Sequence, residues 1–186
     1  MPIDREHQGV RSAAPGAAEL EREFRRCAGS FATGVAVVTA CDEEIVEGMT
    51  VNSFTSVSLR PLLVSVALAR GSRTLATIRR HGMFGVSVLR AGQRETALAF
   101  ATRGLPFPHS LTERFVDGYV FVVDALATMR CDLEKLVPVG DHDLAIGRVL
   151  DFRYAAGEPL VFHHGRFGSL EPSFGTEPVL SEVLRA

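Results

Sequence analysis

Gly48-Met49-Thr50-Val51-Asn52-Ser53-Phe54-Thr55-Ser56-Val57-Ser58-Leu59 is the stretch of sequence that decides the fold. It predicts a β-strand over residues 50–58, along which side chains alternate between two faces. Apart from Phe54, one face carries only short hydrogen-bonding groups, where a water-exposed strand would normally carry long charged side chains. Such a face lets a flat, polar ligand lie close to the backbone. The same pattern is also typical of an ordinary edge strand with a Ser/Thr-rich turn.

Length and composition predict a single globular domain. The chain has 186 residues, 46% of them hydrophobic, which is enough for a sizeable core. A net charge of −2 gives no general attraction to nucleic acid or to an acidic membrane. No run approaches the roughly 18 apolar residues that span a bilayer. We expect a flexible arm over residues 1–18, one domain over 19–170 and a tail over 171–186.

The cysteines predict a reducing compartment. Cys27, Cys41 and Cys131 are odd in number, far apart and without metal-binding or redox spacing. The charged N-terminus lacks the apolar run of a signal peptide. We therefore expect buried free thiols in a cytoplasmic protein.

Hydrophobic periodicity predicts a mainly β fold with a few short helices. Helices are expected at residues 19–31, 72–81 and 93–101, and strands at 35–40, 50–58, 62–68, 84–89, 125–137, 144–154 and 160–167. Strands and helices do not alternate regularly, which favours a β-barrel with helical additions over a doubly wound sheet. The chain has neither a Gly-x-Gly-x-x-Gly fingerprint after a strand nor a phosphate-binding P-loop.

Ser72-Arg73-Thr74 begins the second predicted helix. The free amides and partial positive charge of a helix N-terminus attract anions, so these three residues would suit a phosphate. The alternative is that Ser72 only caps its helix.

Two further segments carry histidines. Gly140-Asp141-His142-Asp143 predicts a turn, where the histidine faces either a pocket mouth or solvent. His163-His164-Gly165-Arg166-Phe167 ends the last predicted strand, and adjacent histidines on a strand face opposite ways, which disfavours a zinc site. Arg166 could pair with a phosphate or carboxylate, or form a surface salt bridge. No Gly-x-Ser-x-Gly elbow marks a nucleophile, and no metal site is expected.

Taken in order, these segments resemble the flavin reductase-like family, the reductases of two-component flavin monooxygenases. The resemblance covers residues 24–170. Its motifs are the stretches 31–39, 48–63, 72–74, 84–89, 140–142 and 165–167. Two positions depart from the family pattern: Arg60 replaces the first of two prolines, and Phe167 stands where tyrosine is common.

The resemblance implies a split β-barrel of Greek-key type, assembled as a homodimer, with flavin along the decisive strand. Thr50, Val51, Asn52 and Ser53 would line the isoalloxazine ring, and Ser56, Val57, Ser58, Ser72 and Thr74 would lie toward the ribityl chain and phosphate. His142 matches the family histidine associated with reduced nicotinamide, and Arg166 is assigned to the same cofactor.

The predicted activity is NAD(P)H-dependent reduction of free FAD or FMN by hydride transfer. Because the cofactors carry this reaction, no catalytic acid, base or nucleophile is required of the protein. NADH is favoured over NADPH because no basic cluster is dedicated to a 2′-phosphate. Reduced flavin would diffuse to a partner flavin-dependent monooxygenase. The alternative is a flavin-binding or electron-carrier module without turnover; a pyridoxamine-phosphate oxidase relative has no support in these motifs.

Overall fold

The computed structural model describes residues 16–42, 45–102, 104–115 and 117–170. Most of the predicted N-terminal arm and the whole predicted tail, residues 171–186, lie outside this part of the chain. Within it, no helix is long and apolar enough to cross a membrane.

The described chain forms three short α-helices and twelve strands, as the sequence pattern predicts for a mainly β fold. The helices are α1 (Ala17–Ala28), α2 (Arg73–His81) and α3 (Arg94–Ala101), with a 3-10 helix at His109–Leu111. The strands are β1 (Thr33–Gly34), β2 (Ala36–Cys41), β3 (Val46–Val51), β4 (Thr55–Leu59), β5 (Leu62–Ala69), β6 (Met83–Val88), β7 (Thr112–Arg114), β8 (Val120–Val122), β9 (Ala127–Val139), β10 (His142–Tyr154), β11 (Val161–His163) and β12 (Arg166–Gly168).

Seven strands form one antiparallel sheet in the order β3-β2-β6-β9-β10-β5-β4. β3 and β4 follow one another in the chain, yet they lie at opposite edges of this sheet. Only Asn52, Ser53 and Phe54 separate them. Three residues can join the two edges only if the sheet curls back on itself. The topology confirms the predicted split barrel and divides the predicted strand over residues 50–58 in two.

The barrel closes at a seam, defined here as the junction where β3 faces β5. The hydroxyl of Ser53 takes the place of a ladder there: its Oγ donates to the carbonyl oxygen of Ala67 at 3.1 Å and accepts from the amide of Ala67 at 3.0 Å. β3 ends at Val51, and two residues later the side chain of Ser53 satisfies the backbone of the opposite edge.

Two apolar clusters fill the fold. The barrel interior holds Val38, Val66, Leu68 and Phe84, and α2 completes it with its buried Leu75 and Ile78 side chains. On the other face of β2, Val37 packs in a second cluster with Ala97 and Phe100 of α3. Both helices therefore lie against β2 and β3 from opposite sides of the wall.

Three expectations need correction. The predicted strand over residues 160–167 is the hairpin β11-β12, because His164 and Gly165 adopt φ values of 47° and 75° and turn the chain. The segment predicted as a loop over 102–117 contains the 3-10 helix and β7. Cys27 is exposed, unlike Cys41 and Cys131, because α1 carries its apolar side chains on a surface that nothing in the described chain covers.

Candidate functional site

A cavity of about 400 Å³ opens beside the seam. Its walls are the first residues of β3, the end of β5, the start of α2 and the end of α3 with the segment that follows it. The lining residues are Glu47, Gly48, Met49, Thr50, Ala69, Gly71, Ser72, Arg73, Thr74, Ala99, Phe100, Ala101, Thr102, Gly104, Leu105, Pro106, Phe107 and Pro108. This volume falls within the range of small-molecule sites.

The start of α2 forms the polar end of the cavity. Ser72 is the N-cap, and its Oγ accepts a hydrogen bond from the amide of Leu75 at 3.2 Å. Its hydroxyl proton remains available to donate, since a serine hydroxyl both donates and accepts. Thr74 is buried, and Arg73 extends from the same turn. The first free amides of α2, the hydroxyls of Ser72 and Thr74 and the guanidinium of Arg73 thus belong to one turn of the cavity wall, a set of donors that suits an anionic group.

The wall that β3 and the end of α3 form is partly aromatic. The hydroxyl of Thr50 donates a hydrogen bond to the carbonyl oxygen of Ala97 at 2.7 Å. Gly48 has no side chain, and a Cβ built there would lie 2.8 Å from Cε1 of Phe100 and 3.2 Å from Cε2 of Phe107. The two rings meet edge to face with centroids 5.4 Å apart. Gly48 thus lets both rings approach the backbone of β3.

The structure brings three of the predicted flavin residues to the cavity: Thr50, Ser72 and Thr74. Val51 is buried in the barrel core, Asn52 is exposed at the corner, and Ser53 closes the seam. Ser56, Val57 and Ser58 lie on β4, the sheet edge that faces solvent in the single chain. Their assignment to flavin stays a prediction.

The predicted nicotinamide residues lie apart from one another. His142 begins β10 directly opposite Ala69, a cavity residue, and its Nδ1 lies 2.8 Å from Oδ1 of Asp141. This hydrogen bond is the main cause that holds the pKa of Asp141 below its ordinary value. Arg166 is exposed on the separate sheet β1-β11-β12 and does not line the cavity.

Asp143 connects the histidine turn to α2, a link that sequence reasoning did not predict. Its side chain is buried and accepts a hydrogen bond from Nε of Arg70 at 2.9 Å and another from Nη2 of Arg79. The bond from Arg70 is the main cause that lowers the pKa of Asp143. The carboxylate therefore fixes the strand of His142 against the helix whose start borders the cavity.

Glu47, Gly48, Phe100 and Phe107 also line the cavity without having been predicted. The one available signal was Gly48, because a glycine inside a strand marks close approach of another group. The aromatic residues come from a helix end and a loop, where no local pattern indicates a site.

Comparison with known proteins agrees with this geometry. The family model described as "Flavin reductase like domain" matches residues 28–171. NADH-dependent FMN reductase AsuE2 of Streptomyces nodosus subsp. asukaensis is 40% identical over 172 residues, covering 89% of this chain and 91% of that protein. The styrene monooxygenase flavin reductase of Pseudomonas putida S12 has a TM-score of 0.74 at 37% identity, covering 80% of this chain and 97% of that one.

A third similar protein has been solved with pieces of both cofactors. It is the Streptomyces globisporus C-1027 NADH:FAD oxidoreductase SgcE6, in complex with NAD and FAD fragments. Its TM-score is 0.80 at 32% identity, and the match covers 88% of this chain and all of that one.

The chain belongs to the flavin reductase like family. The predicted class, an NAD(P)H:flavin oxidoreductase using FMN or FAD, is confirmed, as is the association with two-component monooxygenase systems.

Proposed function

We propose that the protein binds FMN or FAD in the cavity beside the seam, reduces it with NADH and releases it to a partner flavin-dependent monooxygenase. The observation that carries this proposal is the cavity itself, which is lined by the start of a helix, where free amides suit an anion, and by two aromatic rings. When both cofactors are bound, the nicotinamide supplies a hydride to the flavin ring.

The residues present fit a flavin. The start of α2 offers the phosphate the hydroxyls of Ser72 and Thr74 together with the first free amides of the helix. The rings of Phe100 and Phe107 cover the backbone at Gly48, and a planar ring can lie beside the half-buried Phe107. These residues position and desolvate the ring, and the family requires no side-chain acid or base from them.

His142 is our candidate for the nicotinamide side of the site. It pairs with Ala69 of β5, a residue that lines the cavity, and its hydrogen bond to Asp141 fixes the orientation of the imidazole. From this position Nε2 can bind the carboxamide or a phosphate of the dinucleotide. We assign Arg166 to the same cofactor only through an assembly that brings the sheet β1-β11-β12 near a cavity.

We further propose a homodimer in the cytoplasm. β10 pairs with β5 only as far as Arg148, and beyond it Leu150, Phe152 and Tyr154 are 50%, 55% and 81% exposed. A second copy seated on this strand would bury those side chains and protect an open edge. Sedimentation that showed a stable monomer at micromolar concentration would contradict the dimer. The cytoplasmic assignment is supported by three free cysteines.

The decisive experiment measures NADH oxidation with FMN, FAD or no added flavin. Turnover that depends on added flavin is expected; binding of flavin without oxidation of NADH would instead identify a flavin-binding or electron-carrier module.

The phosphate assignment is tested with the double variant Ser72→Ala/Thr74→Ala. Losing two hydrogen bonds to a charged group should weaken FMN binding by about 1–3 kcal/mol. Ser169→Ala, an exposed serine near the end of the described chain, is the matched control. Unchanged FMN affinity in the double variant would show that Ser72 is only a helix cap.

A further inference from the structure

We infer that Glu47 competes with the flavin phosphate for Arg73, and that this competition keeps the flavin exchangeable and sets the preference among flavins. The inference rests on the proposed function, because it takes the start of α2 as the phosphate end of the cavity.

Glu47 and Arg73 form an ion pair across the mouth of the cavity, with Oε2 of Glu47 3.3 Å from Nε of Arg73. The two side chains differ in how freely they can move. The glutamate side chain is 14% exposed and the arginine side chain is 70% exposed. Glu47 stands on β3, which is paired with β2 over its full length, whereas Arg73 is the first residue of α2. The carboxylate is therefore the fixed partner, and the guanidinium is the one that can turn toward a ligand.

The ion pair leaves the cavity lining without net charge, which is unusual for a site that binds an anion. Among the described lining residues, Glu47 and Arg73 are the charged ones, and their charges cancel. A phosphate at Ser72 and Thr74 must draw Arg73 away from Glu47 or accept a carboxylate close by. Either process subtracts from the gain that the guanidinium would otherwise give to phosphate binding.

The loss of binding free energy that Glu47 causes depends on the charge of the flavin phosphate. A terminal phosphate such as that of FMN carries about two negative charges near neutral pH, whereas each phosphate of FAD carries a single charge. Riboflavin has no phosphate and should not respond to Glu47. The carboxylate thus disfavours FMN more than FAD, and it shortens the residence of any phosphorylated flavin. Rapid release suits a protein that hands reduced flavin to a partner.

The test compares Glu47→Gln with the wild type by measuring dissociation constants and dissociation rates for FMN, FAD and riboflavin. The substitution keeps the shape of the side chain and removes its charge. We expect FMN to bind about two- to fivefold more tightly, the range of a partly exposed ion pair, with slower release. FAD should gain less, and riboflavin should be unchanged. An equal gain for riboflavin, or weaker FMN binding, would overturn the inference.

Arg73→Gln and the double variant Glu47→Gln/Arg73→Gln complete the cycle. Without Arg73, the carboxylate of Glu47 and the flavin phosphate no longer compete for a guanidinium. The additional Glu47→Gln change should therefore improve FMN affinity less than it does in the wild type. An equal gain in both backgrounds would show that Glu47 acts by simple repulsion and would overturn the competition for Arg73.

The outcome can be separated from a failure of the proposed phosphate site. If that site is wrong, wild-type affinity for FMN will not respond to Ser72→Ala/Thr74→Ala. If the site is correct and only the inference fails, that double variant will weaken FMN binding while Glu47→Gln leaves FMN affinity unchanged.

Discussion

The hydroxyl of Ser53 contacts both backbone polar atoms of Ala67, at 3.0 Å from the nitrogen and 3.1 Å from the oxygen. One side chain therefore stands where two paired strands would otherwise exchange main-chain hydrogen bonds. This relationship explains why the corner between β3 and β4 holds a serine whose role is to join two strands.

Ser53→Ala should lower the free energy of unfolding by about 1–3 kcal/mol, because the amide and carbonyl of Ala67 lose their partner in a half-buried setting. Denaturant titration measures the loss. Ser56→Ala is the matched control, since Ser56 is exposed on β4 and its replacement should change stability by less than about 0.5 kcal/mol. Equal effects of the two changes would contradict a closing role for Ser53.

Much of the fold could be predicted from the sequence because its signals are local. Ser72 caps α2 as expected, and Leu75 and Ile78 are buried with it. The corner at Ser53 could not be predicted, since small polar residues alternate across it as they would along one strand. Its cause is a hydrogen bond to Ala67, which is 14 residues away.

The residues of the candidate site also fall into those that the sequence predicts and those that it does not. Thr50, Ser72 and Thr74 could be predicted as site residues from the family motifs, and they line the candidate cavity; their contact with flavin stays a prediction. Glu47 and Arg73 lie far apart in sequence, and Phe107 belongs to a loop. Their position at one cavity depends on tertiary packing, which hydrophobic periodicity does not predict.

Gly48→Ala should damage the cavity. The new methyl group would lie 2.8 Å from the ring of Phe100, which is itself buried and has little room to move. We expect a loss of about 1–3 kcal/mol in stability from overpacking, together with weaker flavin binding as Phe100 and Phe107 are displaced. Flavin fluorescence titration and thermal unfolding measure the two effects. Gly92→Ala, where nothing lies within 4 Å of the added carbon, should show neither effect.

Asp143 should make stability depend on pH in the acidic range. Its pKa is lowered in the folded state, chiefly by the hydrogen bond from Arg70, so the folded protein binds this proton more weakly than the unfolded chain. The stabilisation is present above the ordinary carboxyl pKa of about 3.9 and is lost as pH falls below it.

Asp143→Asn should therefore be less stable than the wild type at pH 7, and the difference should shrink as the pH falls below the ordinary carboxyl pKa of about 3.9. Urea unfolding at a series of pH values measures this convergence. Asp151→Asn, at an exposed position, provides the control. A difference that stayed constant over the whole range would show that the charge of Asp143 does not stabilise the fold.

His142→Ala should raise the Michaelis constant for NADH while flavin affinity stays close to that of the wild type. Loss of one hydrogen bond to the dinucleotide corresponds to about 1–3 kcal/mol in kcat/KM. Steady-state kinetics with varied NADH at saturating flavin would measure it. Weakened flavin binding with a normal dependence on NADH would assign His142 to the flavin instead.

The seam also bears on how a ligand enters and leaves. In the described chain no ladder joins β3 to β5, so the barrel wall beside the cavity has fewer backbone hydrogen bonds to break than any other part of its circumference. Regions with few such bonds open at lower free energy than the surrounding core. Amide hydrogen exchange should therefore be faster along β3 than along β2, which is paired on both sides, and bound flavin should slow it. If the barrel opens locally at the seam, next to its cavity, a cofactor can be exchanged without a separate lid.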